Sequence, residues 1–329
     1  MQMKKIATAF LAAALILGLA LTAGCVEGGE AAHLRIGFQP SIDHAAHYLA
    51  MEKGWWSEDL APHGITDVSD KRFETGPPEM QAMLAGEIDV AYSGAAPVIA
   101  AISSGLDAKI VAAAQTQGSD LVIRSDIPYS SPADLKGLTI GTYPPGSIQD
   151  TILRNWLKEN DIDPDRDLEI KAMGPGDATT AMAAGQIDGA FLPHPHPSII
   201  AAQGHGRSVV QSGEMYPNHV CCVVVASGRL IREQPEVVEQ IVRTHIRATE
   251  YAIANPDEAA EIFVGATGMD IDQVRRSLNE WDGAWVSDPN LIIEPVEDYV
   301  RIQHELGYID QPLTQDDIFD LSFYEKVRA

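Results

Sequence analysis

Short apolar runs alternate with alanine-rich, helix-periodic stretches along most of this chain. His33 to Phe38 predicts a strand, ended by the turn-forming Gln39-Pro40-Ser41. Asp43 or Ser41 then caps a helix over Ala45 to Lys53 that stops at Gly54. A second strand is predicted around Val68 to Phe73, and a helix over Pro78 to Ala85 with Gly86 as its stop. Ile88 to Tyr92 is a strand that turns through Ser93 to Pro97 into a helix over Val98 to Ser103, and Lys109 to Ala114 is strand again. Strands alternating with helices at this cadence predict an α/β fold with largely parallel sheets.

The pattern then recurs. Met83-Leu84-Ala85-Gly86-Glu87-Ile88-Asp89-Val90-Ala91-Tyr92 has a counterpart, offset by 99 residues, in Met182-Ala183-Ala184-Gly185-Gln186-Ile187-Asp188-Gly189-Ala190-Phe191. Each copy reads as helix, glycine stop, acid-fixed turn and short strand. A period this long predicts two related lobes rather than a solenoid. Gly137 to Gly141 is a strand of the second lobe, and Ser147 to Asp150 caps a helix over Thr151 to Glu159. Leu121 to Ile123 and Cys222 to Ala226 are the segments expected to join the lobes as a two-strand hinge. Past Arg229 the chain turns helical, in a block expected to pack on the first lobe.

The N-terminus departs from this cadence. Lys4 and Lys5 precede an apolar, alanine-rich Ile6 to Leu21 and the small residues Thr22-Ala23-Gly24-Cys25. Charge, apolar core and small-residue cleavage site make an export signal, too short for a stable membrane crossing. Ala23-Gly24-Cys25 resembles the end of a lipobox, although Thr22 stands where leucine is favoured. Residues 1–24 are therefore expected to be a lipoprotein signal, Cys25 the acylated residue, and 25–32 a polar tether. Lys plus Arg number 23 against 47 Asp plus Glu, a net charge of -24 that becomes -26 once two lysines leave with the signal. Such a field repels nucleic acid. With Cys25 lipidated, only Cys221 and Cys222 remain, too few for a disulfide framework, and their run Cys-Cys-Val-Val-Val-Ala reads as buried strand. No P-loop, dinucleotide fingerprint, nucleophile elbow or zincin motif is present.

Leu34-Arg35-Ile36-Gly37-Phe38, Glu52-Lys53-Gly54-Trp55-Trp56, Leu84 to Ala91, Ser131-Pro132-Ala133-Asp134-Leu135-Lys136-Gly137 and Asn255 to Ala260 follow one another in an order that resembles one family. It is that of the substrate-binding proteins of nitrate, sulfonate, taurine and thiamin-precursor ABC importers. The resemblance covers most of the mature chain and implies a two-lobed, type II periplasmic-binding-protein fold: 33–120 plus 227–329 as lobe 1, and 121–226 as lobe 2. It implies a solute held between the lobes without catalysis, and no cofactor is expected. Two histidines supply too few ligands for a stable metal site, and a vicinal disulfide or a soft-metal site at Cys221-Cys222 is the lesser alternative to buried strand. The expected partners are a small molecule, an ABC permease with its ATPase, and the membrane through the lipid anchor. The chain is expected as a monomer at the cell surface or in the periplasm, on the outer face of the cytoplasmic membrane. Two alternatives stay open: a thiamin-pyrimidine-synthase-like enzyme on the same fold, which carries a cysteine-rich run near the position of Cys221-Cys222, and a sensing lobe for a signalling partner.

Ligand contacts in this family come from loops at the C-terminal ends of strands. By position these are Gln39, Asp43 and His44 after the first strand, Thr75 after the second, and Ser93, Gly94 and Ala95 after the repeated strand. The second lobe offers Ser147 and Ile148, with His194 and His196 from Pro193-His194-Pro195-His196-Pro197. Ser93 and Ser147 serve either an anionic head group or plain helix capping. An extended stretch would point His194 and His196 the same way, and His219 lies near the return to the first lobe. None of these segments carries arginine or lysine, which weakens a simple anion as ligand.

Overall fold

The computed structural model describes residues 32–329. The signal, the tether and Cys25 lie outside the described residues. Among those described, no helix is long and apolar enough to cross a membrane.

Two mixed sheets carry the α/β fold. The first runs β11 (Ala284–Trp285), β4 (Ala108–Thr116), β10 (Val220–Ser227), β3 (Val90–Gly94), β1 (Ala32–Phe38) and β2 (Ile65–Arg72). The second runs β7 (Glu169–Ala172), β6 (Thr139–Thr142), β8 (Gly189–Pro193), β5 (Ser119–Arg124) and β9 (Gly206–Gln211). Pairing is parallel for β1 with β3 and for β6 with both β7 and β8. It is antiparallel wherever β5, β10 or β11 takes part. Parallel neighbours need a long helical crossover, whereas β5 follows β4 directly and β10 follows β9 with only the one-turn helix Ser212–Met215 between them. The sheets are therefore mixed rather than mostly parallel.

Those same strands alter the expected joint. Leu121 to Ile123 lies inside β5, paired on both sides within the second sheet. Cys222 to Ala226 lies inside β10, paired on both sides within the first. Val220 to Ala226 is buried throughout, and a strand apolar on both faces is at its best between two neighbours. The chain passes between sheets instead at 117–118 and at 212–219, where Gln117 (φ 58°), Gly118 (φ 84°) and Asn218 (φ 58°) take left-handed backbone.

The internal repeat is structural. Gly86 (φ 72°) and Gly185 (φ 66°) end their helices in the left-handed region, where a side chain is disfavoured. After them Glu87 N–H donates to Ala82 O, and Gln186 N–H to Ala181 O, each at 2.9 Å. Asp89 accepts the backbone N–H of Arg35 at 3.1 Å, and Asp188 that of Thr139 at 3.0 Å. In return Asp89 N–H donates to Arg35 O and Asp188 N–H to Thr139 O, both at 2.8 Å. Each acid thus locks the repeated strand beside the opening strand of its sheet.

The helix Pro235–Ala254 packs on the helices Ala45–Glu52 and Trp55–Leu60. Farther on, the block also reaches the second sheet. Ile271–Glu280 packs on His196–Ala202, and Ile293–Glu305 touches both Ala95–Ser103 and Ile148–Glu159.

Candidate functional site

Loops from both sheets converge on one narrow cavity of about 20 Å³, drawn nearly shut around its lining. Gln39, Ser41, Asp43 and His44 line it from the end of β1, and Gly76, Gly94 and Pro97 from the ends of β2 and β3. Tyr143, Ser147, Ile148, Gln149 and Pro193 line it from the second sheet, and Cys221 and Cys222 from β10. Contacts across the gap are close. Ser41 Oγ–H donates to His194 O at 3.3 Å, and Gln303 Nε2 donates to Ala96 O at 3.0 Å and Gly146 O at 3.4 Å.

Each loop is shaped locally. Ser41 caps the turn Ile42–His44, its hydroxyl accepting Asp43 N–H at 3.3 Å. The Gln39 backbone N–H donates to His44 Nδ1 at 3.1 Å. An amide can only donate, so Nδ1 is the bare nitrogen and Nε2 carries the hydrogen. That Nε2–H has no protein partner although His44 is 1% exposed. Asp43 Oδ1 is likewise buried without a partner. A cavity wall therefore presents one free donor and one free acceptor.

Burial governs the charges. It pushes the Asp43 carboxyl up to about 7, opposed by Ser41, His194 and Cys221. Burial, with His47 nearby, pulls His44 down to about 3, so its ring is neutral at pH 7. Behind the wall burial pushes Glu79 up to about 8, although Gln39 Nε2 donates to it at 2.8 Å. No lysine or arginine lines the cavity.

Of the expected residues, Gln39, Asp43, His44, Gly94, Ser147 and Ile148 line the cavity together. The others take different places. Thr75 is the buried residue before the helix Gly76–Leu84, and Ala95 opens the helix Ala95–Ser103. Ser93 lies in β3, where its Oγ accepts from Gln39 Nε2 at 3.3 Å. Ser147 does cap its helix, its Oγ accepting Asp150 N–H at 3.3 Å.

The histidines separate because the chain after β8 does not stay extended: a helix begins at His196. His194 sits between the sheets, Nδ1 at 2.7 Å from Ser277 Oγ and Nε2 at 3.2 Å from Asp120 Oδ1. His196 Nδ1 faces Thr179 Oγ1 at 3.1 Å, and burial takes its ring down to about 4. His219 is packed between Tyr216 and Tyr299, with Nδ1 at 3.0 Å from both Val220 O and Tyr299 Oη.

Pro97, Tyr143, Gln149, Pro193 and the two cysteines are the lining residues outside the segments expected from sequence. Tyr143 and Gln149 follow β6 in a segment without telling periodicity. The cysteines are buried strand as expected, yet both also reach the cavity. Adjacent strand residues normally face opposite sides, but β10 shifts register between Val220 and Cys222 and again between Cys222 and Val223. The sulfurs stand 3.6 Å apart, with Asp43 Oδ2 at 3.9 Å from Cys221 and 4.0 Å from Cys222.

A family model described as the NMT1-like family matches residues 27–264. A binding protein of Brucella abortus is 31% identical over 246 residues, covering 74% of this chain and 73% of that one. The formylaminopyrimidine-binding protein of Halalkalibacterium halodurans is 26% identical over 250 residues, covering 74% and 72%. Among solved structures, the alkanesulfonate-binding protein SsuA of Xanthomonas axonopodis pv. citri bound to MOPS superposes with a TM-score of 0.77. It is 20% identical and covers 89% of this chain and 99% of its own, a likeness of fold.

Proposed function

We propose that this chain, which belongs to the NMT1-like family, is the solute-binding component of an ABC importer. It is lipid-anchored through Cys25 on the outer face of the cytoplasmic membrane, works as a monomer, and delivers its solute to a permease and its ATPase without chemical change. Relatives that are binding proteins for a formylaminopyrimidine and for alkanesulfonates support the class. A cavity walled by strand-end loops from two sheets supports the mechanism, since closure adds contacts from both sides and excludes water.

The observation that carries the ligand class is the pairing of the His44 Nε2–H with Asp43 Oδ1, both buried and free, in a wall without a basic side chain. A strong anion would find one neutral donor and a nearby carboxyl. A neutral or zwitterionic solute offering both a hydrogen-bond acceptor and a donor fits that wall. Leaving either group unpaired costs about 1–3 kcal/mol, which the solute relieves.

Thermal-shift screening of the metal-free chain tests this reading. Neutral heterocyclic amides and amines and zwitterions are compared with sulfonates and nitrate. A binder at a hundred times its Kd stabilises by about 2.7 kcal/mol. A response to sulfonate or nitrate alone would overturn the assigned class. Replacing Cys25 by serine is expected to move the protein from the membrane fraction to the soluble fraction; retention there would remove the anchor.

A further inference from the structure

We propose that Cys221, Cys222 and Asp43 together bind one thiophilic metal ion in the cavity wall. Three donors meet there that a strand and a loop have no other reason to assemble. Their separations are 3.6 Å between the sulfurs and 3.9 and 4.0 Å from each sulfur to Asp43 Oδ2. Bond lengths of about 2.3 Å to thiolate and about 2.0 Å to carboxylate at tetrahedral angles require edges of roughly 3.5–3.8 Å. On that geometry the sulfurs have about 0.2 Å to open and the carboxylate oxygen about 0.4–0.5 Å to approach, shifts within reach of side-chain rotation.

A double register shift in β10 turns both thiols to one side. An ordinary core strand gains nothing from that, and a chelate depends on it. Asp43 supplies the second sign: it is 3% exposed, Oδ1 has no partner, and Oδ2 meets only the two distant sulfurs. A carboxylate so placed has only the His194 ring as a nearby basic group, and no lysine or arginine in the lining. Two thiolates beside it select a soft cation such as Zn(II), Cd(II) or Cu(I) over Mg(II) or Ca(II). Binding exchanges the two thiol protons for one ion, without oxidation or reduction. His44 is not the fourth donor, because its Nδ1 lone pair is taken by Gln39 N–H and its Nε2 is protonated. The fourth position faces the cavity, open to water or solute, a point that rests on the cavity being the solute site.

The test is a Cd(II) titration of the full, reduced chain, followed by sulfur-to-cadmium charge-transfer absorption and by proton release. One ion per chain is expected, with two protons released. The response should persist in Cys25→Ser and vanish in Cys221→Ser and in Cys222→Ser, with Zn(II) competing. Asp43→Asn should weaken binding by ~10-fold or more. If the serine variants do not fold, the wild-type stoichiometry and Asp43→Asn decide. No absorption band from a chain whose thiols are shown free after unfolding, or a band that survives either serine substitution, overturns the proposal. A silent titration beside a positive solute screen removes only the metal site. A metal response beside a failed screen removes only the organic solute.

Discussion

The side-chain amide of Gln39 donates to the Glu79 carboxyl at 2.8 Å, directly behind the cavity wall and out of reach of water. Gln39 is thereby held where its own backbone N–H can orient His44. Glu79 itself is fully buried, and its Oε1 has no partner.

Burial, opposed by Gln39 and Ser93, pushes Glu79 up to about 8. A carboxyl that holds its proton more tightly when folded contributes stability below its unfolded value, near 4.5, and loses it as the pH rises through about 8. Replacing Glu79 by glutamine keeps an acceptor for Gln39 and removes the proton. Urea unfolding at pH 5 and pH 9 should show the wild type losing more stability than the variant, by a few kcal/mol on the order-of-magnitude scale of such shifts. Equal losses would contradict this.

The two repeat acids differ in what surrounds them. Asp89, 4% exposed, sits between the Arg35 guanidinium at 2.8 Å and that of Arg229 at 2.7 Å. Asp188, 28% exposed, has only Arg124 at 3.5 Å beside its bond to Thr139 N–H. Asp89→Ala strands a buried amide and removes the partner of two arginines that are themselves 33% and 55% exposed, an expected loss of about 2–3 kcal/mol. Asp188→Ala mainly strands one amide, about 1–2 kcal/mol. Denaturant unfolding of the two variants checks the order.

His245 lies beneath the first sheet. Its Nε2–H donates to Ala113 O at 2.7 Å, which leaves Nδ1 to accept from Tyr92 Oη–H at 2.9 Å. A second ring proton would break that bond. Burial holds the ring down near 4, so the stability it contributes is complete above about 6.5 and is lost as the pH falls toward 4. Melting points between pH 7 and pH 4 should fall less steeply in His245→Gln, which retains one donor and one acceptor. An unchanged slope would contradict this.

At Gly94 the lobes nearly touch. A Cβ there would stand 3.0 Å from Ile148 Cγ1 of the second lobe. Its backbone is ordinary extended chain (φ -65°), so alanine adds bulk without backbone strain, the same Cβ also standing 3.3 Å from Pro97 Cδ. Gly94→Ala is expected to weaken the strongest solute found in the screen by about tenfold, ~1.4 kcal/mol, with little change in unliganded melting. Adding Ile148→Ala should recover part of it. No loss of affinity, or no recovery, would show that this contact does not limit closure.

Short-range signals made the elements legible in the chain. Strand alternation, glycine stops and the Asp89 and Asp188 turns act over a few residues, so both halves and the loop Gln39 to His44 could be placed from them. A continuous apolar run, by contrast, records only that β10 is buried, and not which sheet encloses it. Helix initiation at His196 separated two rings that spacing alone would align.

What the sequence by itself determined is the α/β repeat and the strand-end loops that face one another. Tertiary structure alone decided that Asp43 meets sulfurs 178 and 179 residues away, that Gly94 faces Ile148, and that His194 bridges Asp120 and Ser277. Periodicity and capping are encoded between near neighbours along the chain. Contacts between distant segments depend on how whole sheets pack and on register shifts that no local pattern records.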